Sequence, residues 1–203
     1  LSLGNPQRLI DMDAQGIDYQ AINVNAWGYD ADKALARDLV ALQNERISQY
    51  CAKQSDRFVG MATLALQHPE LAAEQLDHAV KKLGMRGAAI GGSVEGVELS
   101  DRKFDPFWAK AQELDVMVVM HPEDVAGADK MNPYGLKLIC GNPADSALCF
   151  GFMTYSGVFD RFSNLKVCVC HGGGFFPYHV SRFDGEFLTG KQATRRADRP
   201  NSP

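Results

Sequence analysis

Val116-Met117-Val118-Val119-Met120 is an apolar run with no polar position in it, and a strand of that kind has no face to turn to water. It belongs in a parallel sheet, where crossover helices cover the strands and leave them no wet side. The rest of the chain agrees, alternating strand and helix patterns. Asn5 and Pro6 open a first short helix that ends before Gly16, and Asp18 to Val24 reads as strand one. A long helix starts at about Asp32 with Leu35, Leu39, Leu42, Ile47 and Cys51 as its apolar side, followed by strand two from Phe58 to Leu66. His68-Pro69 opens a helix carrying Ala72, Leu76, Ala79, Val80 and Leu83, which Lys81, Lys82 and Gly84 bring to a close. Gly87 to Ile90 is strand three, and Asp105-Pro106 caps a helix with Phe107, Ala111 and Leu114. The run at Val116 to Met120 is strand four. After a loop of about twenty residues, Leu148, Phe152, Tyr155, Phe159 and Phe162 recur at helical spacing, and Leu165 to Cys170 is strand five. The fold class is α/β, as a doubly wound sheet or as a (β/α) barrel.

Composition narrows the partners. At 203 residues and 45% hydrophobic, residues 1–203 form one domain with a sizeable core. A net charge of −4 without a basic stripe argues against nucleic acid. No stretch approaches the roughly 20 apolar residues of a membrane span, and the N-terminus lacks a basic region followed by an apolar run, so neither membrane nor secretion is expected. Five cysteines, an odd number, read as reduced thiols of a cytoplasmic protein. Cys168 and Cys170 fall on one strand face and are assigned to packing rather than to a metal. Asn25-Ala26-Trp27-Gly28, after strand one, lacks the glycine pattern that seats a dinucleotide.

The chemistry points to two histidines. His121 directly follows strand four and His171 directly follows strand five, and in parallel α/β folds the carboxyl ends of strands face the ligand crevice. An imidazole there can ligate a metal or move a proton. Gly172-Gly173-Gly174 lets the backbone take positive φ and come close to a ligand. Asn23, Asn25 and Trp27 border the same crevice, with packing favoured for Trp27. His68 and His78 read as surface or boundary residues, and His179 stays open. Arg182, among Phe175, Phe176, Tyr178, Phe183 and Phe187, is either a carboxylate clamp or the partner of Asp184.

Taken in order, Met12-Asp13-Ala14-Gln15-Gly16-Ile17, Arg57-Phe58-Val59-Gly60, Gly84-Met85-Arg86-Gly87, His121-Pro122, Leu165-Lys166-Val167 and His171-Gly172-Gly173-Gly174-x-x-Pro177 carry a resemblance. The chain resembles the metal-dependent amidohydrolase superfamily, in the branch of 2-amino-3-carboxymuconate-6-semialdehyde decarboxylase and related aromatic-acid decarboxylases. The likeness runs from about residue 5 to residue 187. It implies a TIM-type (β/α) barrel with one divalent metal, commonly zinc, held in part by His121. It also implies that His171 is the catalytic acid/base, that the substrate is a small carboxylic acid, and that a homodimer forms in which Arg182 crosses to the neighbour's substrate carboxylate.

The pattern also departs from that family. The His-x-His of the first barrel strand is absent, and the Asp ligand of the last strand would lie beyond Pro203. The chain is thus expected to be an incomplete barrel, truncated at both ends, with strands two to six of the eight and a single one of the metal ligands. Two parallel edges would then be open to other chains. Glu123 and Tyr134 stand near where close relatives place tryptophans, which leaves the substrate open. The implied activity is a metal-dependent decarboxylase, a carbon-carbon lyase. Lactonase-like hydrolase or hydratase chemistry on the same barrel, or an inert fragment without the metal site, are the alternatives.

Overall fold

The computed structural model describes residues 5–24, 28–122, 125 and 127–189. Helix α1 (Gln7–Ala14) starts where the Asn5 side-chain oxygen accepts the N–H of Gln7 at 2.9 Å. Strand β1 (Gln20–Ile22) leads to α2 (Lys33–Ala52), capped by the Asp32 carboxylate, which accepts from the N–H groups of Ala34 and Leu35. Strand β2 (Phe58–Gly60), α3 (Pro69–Leu83) and β3 (Gly87–Ile90) follow, with Gly84 at φ +69° ending α3 in the left-handed region that glycine favours.

A short hairpin comes next, β4 (Ser93–Val94) and β5 (Val97–Glu98), turning through positive φ at Glu95 and Gly96. Helix α4 (Asp105–Glu113) precedes β6 (Met117–Met120). The expected loop after β6 contains two 3₁₀ turns and a π-turn at Lys137–Gly141 that runs straight into α5 (Asn142–Tyr155). Gly157, at φ +74°, separates α5 from α6 (Val158–Arg161), and β7 (Lys166–Val169) and α7 (Val180–Thr189) complete the described chain.

All the long strands are parallel. β1 pairs with β2, and β3 with β6 and β6 with β7. Ala62 bridges to Ala88, its N–H reaching the Gly87 carbonyl at 2.8 Å, so the two groups join as β1-β2-β3-β6-β7. The β4–β5 hairpin apart, each strand therefore lies beside the next one in the chain, with no reversal of order. A doubly wound sheet needs a reversal, whereas a barrel sector has none. Right-handed crossovers then put the helices on one face, where α2 packs on α3 and α3 on α4. The described residues make an open sector and no closed barrel.

Three expectations need correction. Strands one and two are shorter than the apolar pattern suggests, and past the Ala62–Ala88 bridge the chain pairs at Thr63 with a helix side chain in place of a strand. Asn44 of α2, only 3% exposed, donates to the Thr63 carbonyl and accepts its N–H, both at 2.9 Å, and so takes the place of a neighbouring strand. The apolar side of α2 is Ala36, Val40, Ile47 and Cys51, while Leu35 and Leu42 are more than half exposed. In α5 the buried face is Ser146, Ala147, Cys149 and Met153, and Leu148 and Phe152 lie on the exposed side. The core is filled from the helices by Phe104, Phe107, Trp108 and Leu76 and from the sheet by Ile90, Val118 and Met120.

Candidate active site

The strand ends align. Ile90, Met120 and Val169 stand opposite one another in register, the His121 N–H donates to the Ile90 carbonyl at 2.9 Å, and the Cys170 N–H donates to Met120 at 3.0 Å. His121 and His171 therefore leave adjacent strands at one rim. Their rings meet edge to face with centroids 4.8 Å apart. His171 takes φ +57°, a left-handed conformation that costs a side-chain-bearing residue about 1 kcal/mol or more, and Gly172, Gly173 and Gly174 all continue at positive φ. The turn after β7 thus aims the imidazole back at the rim.

Burial, and then the neighbouring His121 ring, hold the His171 pKa below the ordinary histidine value, so the ring rests neutral near pH 7. A neutral imidazole accepts a proton, and once charged it gives the proton up readily. Its Nδ1 lies 2.9 Å from the hydroxyl of Ser146. Cys149, one turn further along α5, donates to the Gly92 carbonyl at 2.9 Å; burial raises its thiol pKa, so it packs rather than reacts. Neither Ser146 nor Cys149 stands out in the sequence, although their spacing of three on an apolar helix is the available signal. Gly174 admits a protein backbone: a Cβ there would lie 1.8 Å from the Pro143 carbonyl oxygen. This glycine seats the turn against the start of α5, where a ligand approach was expected.

Arg182 lines a cleft to which neither rim histidine contributes. It is exposed, and the cleft, of about 330 Å³, is also lined by Tyr155, Phe175, His179, Phe183 and Glu186. Among the described residues it makes no ion pair with Asp184, whose Oδ1 is buried without a hydrogen-bond partner. His179 stacks edge-on against Phe175 in the same cleft. His78 is exposed and His68 partly buried, as expected of surface and boundary positions, and Tyr134 is almost wholly exposed. Asn25, Trp27 and Glu123 lie outside the described residues. All five cysteines are free thiols, and Cys168 is exposed on β7, which corrects the packing assignment for that residue.

Among the described residues no three His, Cys, Asp or Glu side chains gather closely enough to hold a metal ion. His121 has the donor chemistry that a divalent cation takes, so these residues fit as one contributor to a metal site and not as a complete one. The sequence model of the amidohydrolase family matches residues 4–201. The chain belongs to the amidohydrolase family.

Among the relatives of this amidohydrolase is a 2-amino-3-carboxymuconate-6-semialdehyde decarboxylase from Dictyostelium discoideum, 33% identical over 182 residues, covering 89% of this chain and 51% of the relative. A gamma-resorcylate decarboxylase from a Rhizobium species is 32% identical, covering 87% of this chain and 58% of the relative. The solved 5-carboxyvanillate decarboxylase of Novosphingobium aromaticivorans superposes with a TM-score of 0.84 at 31% identity, over 96% of this chain and 57% of that one. Its structure holds manganese and a nitrobenzoic acid, so a divalent ion is supported in the family without zinc in particular. The chain spans about half to three fifths of the length of these relatives. Among the described residues no helix is long and apolar enough to cross a membrane.

Proposed function

We propose that this amidohydrolase is a metal-dependent carboxy-lyase for small aromatic or unsaturated carboxylic acids, acting as part of a (β/α) barrel. The observation that carries the reading is the pair of imidazoles, His121 and His171, 4.8 Å apart at the carboxyl ends of adjacent parallel strands. His121 is the ligand this chain offers to a divalent ion, which when bound supplies Lewis-acid charge to the substrate's oxygens. His171 serves as the acid/base. Once it has taken a proton from solvent, it delivers that proton to the carbon that bears the carboxylate, and the carbon-carbon bond then breaks to release carbon dioxide, its electron pair returning to the substrate's π system. The depressed pKa suits the delivering half of the cycle, because the charged ring gives its proton up easily and returns to neutral. Arg182, exposed in an aromatic cleft that neither rim histidine lines, belongs to a neighbouring subunit's site, where a guanidinium clamps a carboxylate through two hydrogen bonds.

The test is product analysis on the whole barrel of which this chain is part, with the remaining metal ligands in place, incubated with zinc or manganese and with γ-resorcylate, 5-carboxyvanillate or related acids. Release of carbon dioxide is expected; a product that keeps every carbon would instead assign hydration or hydrolysis. His171→Ala is expected to lower turnover by about 10²- to 10⁴-fold with metal content unchanged. His121→Ala is expected to lower metal content, measured by elemental analysis. Unchanged turnover in the first variant would remove His171 from the mechanism.

A further inference from the structure

Ser146 has none of its surface exposed, and its hydroxyl oxygen lies 2.9 Å from Nδ1 of His171. Backbone contact fixes that distance. Three residues before Ser146 and three after His171, Pro143 and Gly174 pack so closely that a single added carbon would strike the Pro143 carbonyl oxygen. One turn further along α5, Cys149 reaches Gly92 at 2.9 Å and the Met120 sulfur at 3.2 Å, so the same helix face is held to the rim at a second point. The serine is therefore carried by two anchored elements. The backbone of His171 lies past the end of β7 at positive φ, so no strand pairing sets the angle of its ring.

The bond to one ring nitrogen decides what the other can do. When Nδ1 carries hydrogen and donates to the serine, Nε2 keeps its lone pair. When the serine donates, Nε2 is an N–H and cannot act as a base. Only the first arrangement survives a proton cycle, because an imidazolium is a donor at both nitrogens and needs an acceptor at Nδ1 throughout. We propose that Ser146 is a positioning residue: it accepts the Nδ1–H of His171, holds the ring edge-on to His121 and makes Nε2 the nitrogen that exchanges protons. The direction of the bond and its catalytic consequence rest on the acid/base reading of His171, whereas the 2.9 Å contact does not.

The experiment is ¹⁵N NMR of the chain labelled at histidine, at a pH where the rings are neutral, with His171 assigned by its loss in His171→Gln. The expected spectrum shows His171 protonated at Nδ1 and bare at Nε2. Ser146→Ala should move it toward the Nε2–H form that a free imidazole prefers in water, and Ser146→Thr should keep the original signature. The other four histidines report whether each variant is folded. A wild-type ring carrying its hydrogen on Nε2 overturns the proposal without any variant, and so does an unchanged Nδ1–H in folded Ser146→Ala. In the decarboxylation assay Ser146→Ala should lower kcat by about 10- to 100-fold with little change in KM. If the ring state responds as expected while wild type releases no carbon dioxide, the lyase reading fails and the positioning role stands.

Discussion

Gly174 carries two constraints that a side chain cannot meet together. Its backbone lies at φ +62° and ψ −125°, and the Pro143 carbonyl oxygen occupies the space a Cβ would need. Gly172 shares the positive φ, at +64°, but nothing lies within 4 Å of its Cβ position. Substitution by alanine separates conformational strain from collision. Gly172→Ala should cost about 1 kcal/mol, the price of a left-handed alanine. Gly174→Ala adds an overpacking cost against backbone that cannot rotate away, for a total of about 3 kcal/mol. Urea midpoints at constant m-value measure both, and equal losses would show that the turn relaxes away from α5. Because Gly174 seats the turn that carries His171, its variant should also disturb the His171–Ser146 hydrogen bond.

Among the elements, α3 and α4 are joined by charge as well as by packing. Asp77 of α3 accepts from Lys81 at 2.6 Å and from Lys110 of α4 at 3.5 Å, and Lys110 also reaches Glu113 at 2.7 Å. The hydrogen bond and charge of Lys81, then the charge of Lys110, hold the Asp77 carboxyl below its ordinary value of 3.8. The folded state therefore binds this proton less readily than the unfolded chain. The stabilisation is complete above the unfolded value and is lost as pH falls through the folded one. Asp77→Asn should lose less stability than wild type between neutral pH and pH values below 3.8, as read from denaturant midpoints. Equal slopes would mean that the bridge contributes nothing measurable, as many exposed pairs do.

The same scale shows what the sequence could and could not disclose. Strand β6 was legible as a strand from its apolar run, although its full burial was not borne out, since Met117 is exposed and Val119 half-buried, and α3 was legible because one stripe of apolar side chains faces one way. Helix α2 carries apolar residues on two sides, Leu35 and Leu42 on one and Val40 and Ile47 on the other, so pattern alone cannot say which meets the sheet. The choice follows from Asn44, whose amide has to reach Thr63. The two rim histidines were legible because each directly follows a strand. Ser146 was not, since its partner lies 25 residues away and depends on the rotation of α5.

For the whole molecule, the strand order β1-β2-β3-β6-β7 leaves β1 and β7 with one unpaired edge each among the described residues. The exposed side of α5 presents Leu148 and Phe152 in a cleft that shares Tyr155, Phe175 and Phe183 with the cleft lined by Arg182. On the shared-site reading this surface meets the same surface of a second copy, since a twofold dimer pairs a patch with itself. Arg182 then completes the neighbour's rim while His171 serves its own. That arrangement has a signature that neither a monomer nor a self-contained dimer reproduces. His171→Ala and Arg182→Ala should each be inactive alone, one lacking the proton carrier and the other the carboxylate clamp. Mixed in equal amounts under conditions of subunit exchange, half of the dimers become hybrids, and each hybrid assembles one site with both residues intact. About a quarter of wild-type activity should return. A mixture that stays inactive, although sedimentation shows the subunits exchanging, would place Arg182 and His171 in the same subunit's site or take Arg182 out of catalysis. Phe152→Glu, a charge set in the apolar face of α5, should weaken the dimer and lower activity together, because an isolated subunit lacks the arginine its site requires.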